Sequence, residues 1–221
     1  MMGSKKLKLF NNRFDLIGSG LWIFSLQYFA VQAVVALNWP RPYSLGANTI
    51  SDLGNTVCGP YGGRLVCSPL HDLMNASFIV LGLMQGIGAL LIYRKLRGGW
   101  ALKAVFGGLI LSDVGTILVG FFPENTVASL HILGAGLAFL LGSLAILGFS
   151  LLLKNLPKSW RIYTFLTGLI AFLALIFYVG HDYFGLGPGS LERLISYPQT
   201  VWVVLFGFRL LVIGSRCYPK T

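Results

Sequence analysis

Three histidines, each close to an acidic residue in the chain, are the groups best suited to acid–base or metal chemistry. The pairs are His71 with Asp72, His131 with Glu124, and His181 with Asp182. Imidazole binds zinc or accepts a proton near neutral pH. The sequence leaves three uses open: a zinc-bound water that hydrolyses an ester or amide, metal-free acid–base catalysis on a lipid, and a structural network or lipid-headgroup site.

Two of these histidines belong to segments that resemble each other. The first reads Ser51-Asp52-Leu53-Gly54 and continues to Gly59 and His71, and the second reads Ser112-Asp113-Val114-Gly115 and continues to Gly120 and His131. The histidine follows the aspartate by 19 residues in the first segment and by 18 in the second. This similarity predicts a parallel duplication of helices 1–2 as helices 3–4, which would place Asp52 on an extension of helix 1 or on a segment dipping back into the bundle.

The candidate catalytic residues are the members of these segments that carry chemistry: Ser51, Asp52, His71, Asp113 and His131. Asp113 lies inside a predicted helix, where ionisable groups are costly and usually face the bundle interior or a wet cavity.

The candidate substrate-binding residues are Asp72, Asn75, Glu192 and Arg193. Asn75 lies one turn below His71 on the same helix face. Arg193 is one of the few cations on its side of the membrane. We expect it to pair with Glu192 or with a headgroup phosphate, and the protein carboxylate is favoured.

Zinc is the cofactor that the histidines would bind, with His71, His131 and His181 as ligands and a water in the fourth position. The chain contains no HExxH or HxxxH pair, so the spacing of the histidines gives this hypothesis little support.

Six apolar stretches must carry these residues, and hydrophobic residues make up 55% of the 221-residue chain. Stretches of about 20 apolar residues cross the hydrocarbon core, where the backbone satisfies its own hydrogen bonds as a helix. The predicted fold is an all-α integral membrane protein with a single six-helix domain over 16–214. The predicted helices are Leu16–Leu37, Leu70–Tyr93, Ala101–Phe122, Val127–Leu153, Tyr163–Gly180 and Ser196–Gly214.

Basic residues cluster at alternate ends of these helices, and the net charge is +10. On a soluble protein this charge would suggest nucleic acid, but the positive-inside rule accounts for it here, and we expect no nucleic-acid partner. The rule places both termini in the cytoplasm, as a basic segment 1–15 and a tail 215–221. We expect a plasma-membrane protein whose polar chemistry faces outward.

Two of the three cysteines share the long outer loop 38–69, whereas Cys217 is predicted to be cytoplasmic. Disulfides persist in oxidising, extracytoplasmic compartments. We therefore predict a Cys58–Cys67 bridge rather than two free thiols, with a contribution of about 2–3 kcal/mol from the chain-entropy estimate.

Three segments together resemble the DUF998 family of bacterial and archaeal membrane proteins. They are Ser51-Asp52-Leu53-Gly54, the stretch from Phe122-Pro123-Glu124-Asn125 to His131, and Gly189 to Tyr197 with Glu192-Arg193. The resemblance covers nearly the whole chain and implies a fold but no reaction, because the family is named for an unknown function. A looser similarity is to the alkaline-ceramidase-like membrane hydrolases, which combine Ser, Asp and three His near one membrane face; this chain lacks their paired HxxxH.

The expected function is that of a membrane-embedded protein with an outward-facing His/Asp pocket. The leading hypothesis is a hydrolase or lipid-modifying enzyme that acts on a membrane lipid or another amphiphile. The alternative is a transporter or lipid-binding protein that uses the same pocket.

Overall fold

The computed structural model describes residues 13–94, 99–154 and 156–215. The predicted basic segment 1–15 and the tail 215–221 lie almost entirely outside them. The α-helices of the described part are α1 Arg13–Phe24, α2 Gln27–Leu37, α3 His71–Tyr93, α4 Trp100–Phe121, α5 Ala128–Leu152, α6 Lys158–Val179 and α7 Pro188–Ser215.

Six stretches of the described chain are long and apolar enough to cross a membrane. Helices α1 and α2 together form the first, over Leu16–Leu37, and α3 to α7 provide the other five. At the junction of α1 and α2, the Ser25 and Leu26 N–H groups donate to carbonyls three residues back, which tightens the backbone there without ending the span. The six predicted spans are confirmed, and the chain is a multi-pass membrane protein.

The last helix begins earlier than the sequence predicted. Helix α7 starts at Pro188 rather than Ser196, because proline fits the first turn of a helix and the Gly189 N–H donates to the Gly46 carbonyl at 2.8 Å. This first part of α7 carries polar residues, so an apolar pattern alone misses it. Pro198 lies inside the same helix, as membrane helices tolerate when neighbouring groups satisfy the backbone.

The helices form a closed ring in which sequence neighbours from α3 to α7 pack on one another and α1 packs on both α3 and α7. Glycines allow the closest approaches. A Cβ on Gly115 of α4 would lie 2.5 Å from the Gly134 carbonyl of α5, and a Cβ on Gly134 would lie 2.7 Å from the Gly115 carbonyl. The α4–α5 backbones therefore touch without intervening side chains.

The segment between α2 and α3 packs over one end of this ring, which we call the loop end. It contains a short 3-10 helix, Ser51–Gly54, and two antiparallel strands, β1 Gly59–Tyr61 and β2 Arg64–Val66. Ile50 and Leu53 from this segment are buried in an apolar cluster with Tyr28, Met74 and Phe78. The fold is mostly helical rather than all-α, because a β-hairpin forms part of the loop.

Candidate active site at the loop end

The 3-10 helix is fixed at the loop end by hydrogen bonds to its carbonyl groups. The Ser68 hydroxyl donates to the Leu53 carbonyl at 2.6 Å, and Asn75 Nδ2 donates to the Gly54 carbonyl at 2.9 Å. A Cβ on Gly54 would lie 2.2 Å from Asn75 Oδ1, so any other residue here would displace the Asn75 amide. Asn75, predicted to bind substrate, supports the 3-10 helix.

Asp52 is fully buried within this helix and is paired with Arg64. Arg64 Nε donates to Oδ2 and Nη2 donates to Oδ1, both at 2.6 Å. The Thr49 N–H and Asn48 Nδ2 also donate to Oδ2, at 3.0 and 3.1 Å. Burial by itself would lower the pKa of Arg64, but the hydrogen bonds and charge of Asp52 raise it overall. Asp52, predicted to be catalytic, therefore anchors the loop electrostatically.

The β-hairpin holds Arg64 in position. Its two-residue turn is Gly62-Gly63, with φ of 53° and 78°, the left-handed conformation that short hairpin turns require and that glycine adopts without strain. The Cys58–Cys67 disulfide closes the other end of the two strands. The predicted disulfide is confirmed, and the sequence missed Arg64 as a site residue although two cysteines and a Gly-Gly turn frame it.

Ser51, the first residue of the 3-10 helix, contacts His131 from the first turn of α5. Ser51 Oγ lies 3.1 Å from His131 Nε2, and His131 Nδ1 lies 2.8 Å from the Phe122 carbonyl oxygen. His131 is buried and Ser51 is half-buried. Two of the predicted catalytic residues are thus brought together across 80 residues of sequence.

Glu192, predicted as a substrate-binding residue, is the third member of this group. It is buried on the first part of α7. The Ser51 hydroxyl lies 2.9 Å from Glu192 Oε1, and the Ile50 N–H donates to Oε2. The serine hydroxyl therefore bridges a carboxyl group and an imidazole.

Glu124 lies in the α4–α5 connection, next to the Asp52–Arg64 pair. Burial, followed by a hydrogen bond with Asp52 and the negative charges of Asp52 and Glu192, raises the pKa of Glu124 to about 9. Asn55 Nδ2 donates to Glu124 Oε1 at 3.4 Å, and the Tyr61 hydroxyl donates to the Glu124 backbone carbonyl at 2.8 Å. At neutral pH Glu124 is a neutral acid that ties the hairpin to the α4–α5 connection.

Arg193, predicted to bind substrate, fixes the loop to α7, and its side-chain hydrogen bonds go to the loop and to Gly189 rather than to Glu192. Its Nη1 donates to the backbone carbonyls of Leu45, Asn48 and Gly189 at 2.8–2.9 Å. Its Nη2 donates to the Tyr43 hydroxyl. These contacts anchor the loop to α7, and Arg193 Nε makes no hydrogen bond to any described group.

The other predicted site residues lie apart from this group. His71 Nδ1 contacts the Ser68 carbonyl at 2.9 Å, and its Nε2 lies 3.4 Å from Asp72, whose side chain is exposed. His181 contacts the Tyr183 hydroxyl at 2.9 Å on the exposed surface. Asp113 is buried in α4, and its Oδ2 has no hydrogen-bond partner among the described residues.

The predicted zinc ligands do not form a cluster in the structure. Over residues 13–94, 99–154 and 156–215, no group of three or more His, Cys, Asp or Glu side chains is placed to hold a metal ion. His71, His131 and His181 each contact a different partner. Zinc binding remains a prediction for which the described residues supply no ligand set.

Comparison with known proteins identifies one family. The family model described as "Protein of unknown function (DUF998)" matches residues 23–209. No curated protein and no solved structure matches the chain. The match covers most of the first membrane span, the loop, the candidate site residues and most of α7.

Proposed function

The chain belongs to the DUF998 family, and we propose that it is a membrane-embedded serine hydrolase that cleaves an ester or amide bond of a lipid or similar amphiphile. One observation carries the proposal: Ser51 Oγ lies 3.1 Å from His131 Nε2, within the reach needed between a nucleophile and its general base. Ser51, His131 and Glu192 are the proposed catalytic residues.

The Phe122 carbonyl supports the role of His131 as a base. A carbonyl oxygen only accepts hydrogen bonds, so His131 Nδ1 carries the proton in the 2.8 Å contact. In neutral imidazole the lone pair is then on Nε2, which faces the Ser51 hydroxyl. The backbone carbonyl thus fixes ring orientation and tautomer, the task that a carboxylate performs in a Ser-His-Asp triad.

Glu192 completes a relay through Ser51. In one arrangement a protonated Glu192 donates to Ser51 Oγ, which donates to neutral His131. In the other, imidazolium donates to Ser51 Oγ, which donates to the Glu192 carboxylate. Both arrangements hold the same number of protons and satisfy the same contacts, so a proton can pass between Glu192 and His131 through Ser51 without a change in the net charge of the group.

The reaction then follows acyl transfer through serine. Ser51 Oγ attacks the carbonyl carbon while its proton moves to His131 Nε2. The bond to the leaving oxygen or nitrogen breaks, the leaving group takes the proton from His131, and acyl-Ser51 remains. Water attacks this ester with His131 as base, and the fatty or other carboxylic acid leaves as Ser51 regains its proton.

A concavity at the loop end has room for the headgroup of an amphiphile, although Ser51, His131 and Glu192 do not line it. It has a volume of about 760 Å³ and is lined by Arg64, Tyr178, His181, Tyr183 and the glycine-rich turn before α7. This volume lies within the range of small-molecule sites. Since Arg64 is paired with Asp52, the concavity suits a hydroxyl-bearing or neutral headgroup better than a bare anion.

We further propose, from the positive-inside rule, that both termini are cytoplasmic and that the loop end faces outward from the plasma membrane.

Labelling with a fluorophosphonate tests the proposal without knowledge of the substrate. Wild-type protein in lipid nanodiscs should be modified on the peptide that contains Ser51, and Ser51→Ala should abolish the modification. The matched control is Ser112→Ala, which removes the equivalent serine of the second similar segment and should leave labelling intact. A folded wild-type protein that shows no modification of Ser51 would overturn the proposal.

A carrier for a small polar solute is a second candidate, favoured by the buried Asp113 within the membrane span. Such carboxyl groups mark proton relays in transporters. In proteoliposomes a proton-coupled carrier would lose uptake in Asp113→Asn, whereas the hydrolase predicts that this variant still reacts at Ser51. No uptake with any imposed pH gradient would count against the carrier.

A further inference from the structure

A second, internal cavity adjoins the proposed catalytic group on its membrane side. It lies within the helix ring and has a volume of about 50 Å³. Ser51 and Glu192 line it, as does Gln85 from the middle of α3. The cavity therefore connects the reacting serine with the interior of the membrane span.

The walls of this cavity combine polar and apolar side chains. Hydroxyl and amide groups come from α4 and α7, including Ser112, Thr116, Ser196, Gln199 and Thr200, and apolar groups include Phe78 and Leu81 of α3. Polar side chains within a membrane span normally face one another or a water-filled space.

Gln85 supplies independent evidence for an occupant. Its side chain is 9% exposed, and its Nε2 makes no hydrogen bond to any described protein group. A buried amide donor without a partner is unfavourable, and Gln85 lines the cavity. The occupant must therefore offer a hydrogen-bond acceptor.

Water is the occupant that fits both size and chemistry. The volume exceeds the roughly 10–15 Å³ needed for a single water and, at about 30 Å³ per water in the liquid, has room for one or two molecules. The same space is too small for a lipid headgroup. Each water would find several hydroxyl or amide partners in these walls.

We infer that this cavity is an internal water site, and that it supplies the water that hydrolyses acyl-Ser51. The second half of the inference rests on the proposed hydrolase function. In that step His131 Nε2 takes a proton from the water, and the hydroxide oxygen bonds to the acyl carbon. The bond from that carbon to Ser51 Oγ breaks, and the proton on His131 returns to Ser51.

Radiolytic hydroxyl labelling of the protein in nanodiscs tests the water site without any substrate. Ordered water beside Tyr28, Phe78 and Leu81, which line the cavity, should give oxidised forms of these residues. Gln85→Leu should lower their labelling several-fold, with Gln85→Met as a second variant should the first not fold. The matched control is Gln32→Leu: Gln32 is equally buried and also has an unpartnered Nε2, but it does not line the cavity.

A separate measurement tests whether the cavity supplies the water that hydrolyses acyl-Ser51. With an activated ester such as p-nitrophenyl butyrate, Gln85→Leu should keep the acylation burst and slow steady-state release about tenfold or more. An unlabelled cavity wall in wild-type protein would overturn the water site even when Ser51 is acylated. If the cavity wall is labelled but Gln85→Leu does not slow product release, the cavity does not supply the hydrolytic water. If the wall is labelled but Ser51 is never acylated, the hydrolase proposal is wrong and the water site stands.

Discussion

The two similar segments place their aspartates in opposite environments. Asp52 lies in a 3-10 helix and receives hydrogen bonds from Arg64, Thr49 and Asn48. Asp113 lies in the middle of α4 against Gly86, with one carboxyl oxygen that lacks a described partner. Equal spacing along the chain therefore did not produce equal environments, because one aspartate sits beside a loop that supplies donors and the other lies against Gly86 of α3, which has no side chain to donate.

The histidines of the two segments differ in the same way. His71 contacts its own neighbourhood, the Ser68 carbonyl and exposed Asp72. His131 instead contacts Ser51 of the other segment. The proposed catalytic pair thus takes its nucleophile from the first segment and its base from the second. Whether the segments arose by duplication remains a hypothesis, but their functional groups are complementary rather than redundant.

Replacement of the two histidines, one at a time, should give the largest difference between the segments, measured as the rate of fluorophosphonate labelling of Ser51. His131→Gln should slow fluorophosphonate labelling of Ser51 by about 10²–10⁴-fold, the usual contribution of a general base. His71→Gln should leave the labelling rate close to wild type, since His71 does not contact Ser51. Equal losses in both variants, with melting temperatures unchanged, would contradict the assignment of His131 as the base.

Substitutions that change the charge balance around the two aspartates should have different effects on the free energy of unfolding. Arg64→Met leaves the buried Asp52 carboxylate without its cation, which costs on the order of 3–5 kcal/mol. Asp113→Asn should leave the free energy of unfolding nearly unchanged or raise it, because asparagine has a similar shape and no charge. Thermal or denaturant unfolding in detergent measures both.

A second substitution checks the reason for this difference. Asp52→Asn combined with Arg64→Met should recover most of the stability that Arg64→Met loses, since no buried charge then remains unpaired. Failure of the double variant to recover would show that Arg64 acts through packing and not through the ion pair.

Removal of the disulfide tests how far the stability of the first segment depends on the β-hairpin. Cys58→Ser with Cys67→Ser should lower stability by about 2–3 kcal/mol on the chain-entropy model. The loss should be smaller in an Arg64→Met background, because the hairpin then no longer needs to hold Arg64 against Asp52. Additive losses in the two backgrounds would mean that the disulfide and the ion pair act independently.

The smallest expected effect is the pH dependence that Glu124 gives to the stability of the folded protein. Its pKa is raised in the folded protein, so the folded state binds more protons than the unfolded state between about pH 4.5 and 9. Stability should therefore fall as the pH rises through this window. Glu124→Gln should flatten the dependence, as seen in melting temperatures from pH 5 to 9. A wild-type profile that rises or stays flat would contradict a protonated Glu124.

Prediction from sequence reached some site residues and missed others for identifiable reasons. Ser51, His131 and Glu192 carry reactive groups at places that hydropathy assigns to one side of the membrane, so each could be named. Arg64 was missed because its role depends on a Gly-Gly turn and on Asp52 folding back beneath it. The Phe122 carbonyl is a backbone group, so the identity of the residue does not indicate its contact with His131.

Sequence alone determined the six membrane spans and the disulfide. Lipid forces apolar stretches into helices of fixed minimum length, and two cysteines nine residues apart in the loop 38–69 have few other partners. Tertiary structure alone decided that Ser51 contacts His131, that Asp52 is paired with Arg64 and that Asp113 Oδ2 has no hydrogen-bond partner among the described residues. Those outcomes depend on how the ring of helices closes and on where the loop packs. Contacts between residues 80 positions apart leave no periodic or compositional trace in the chain.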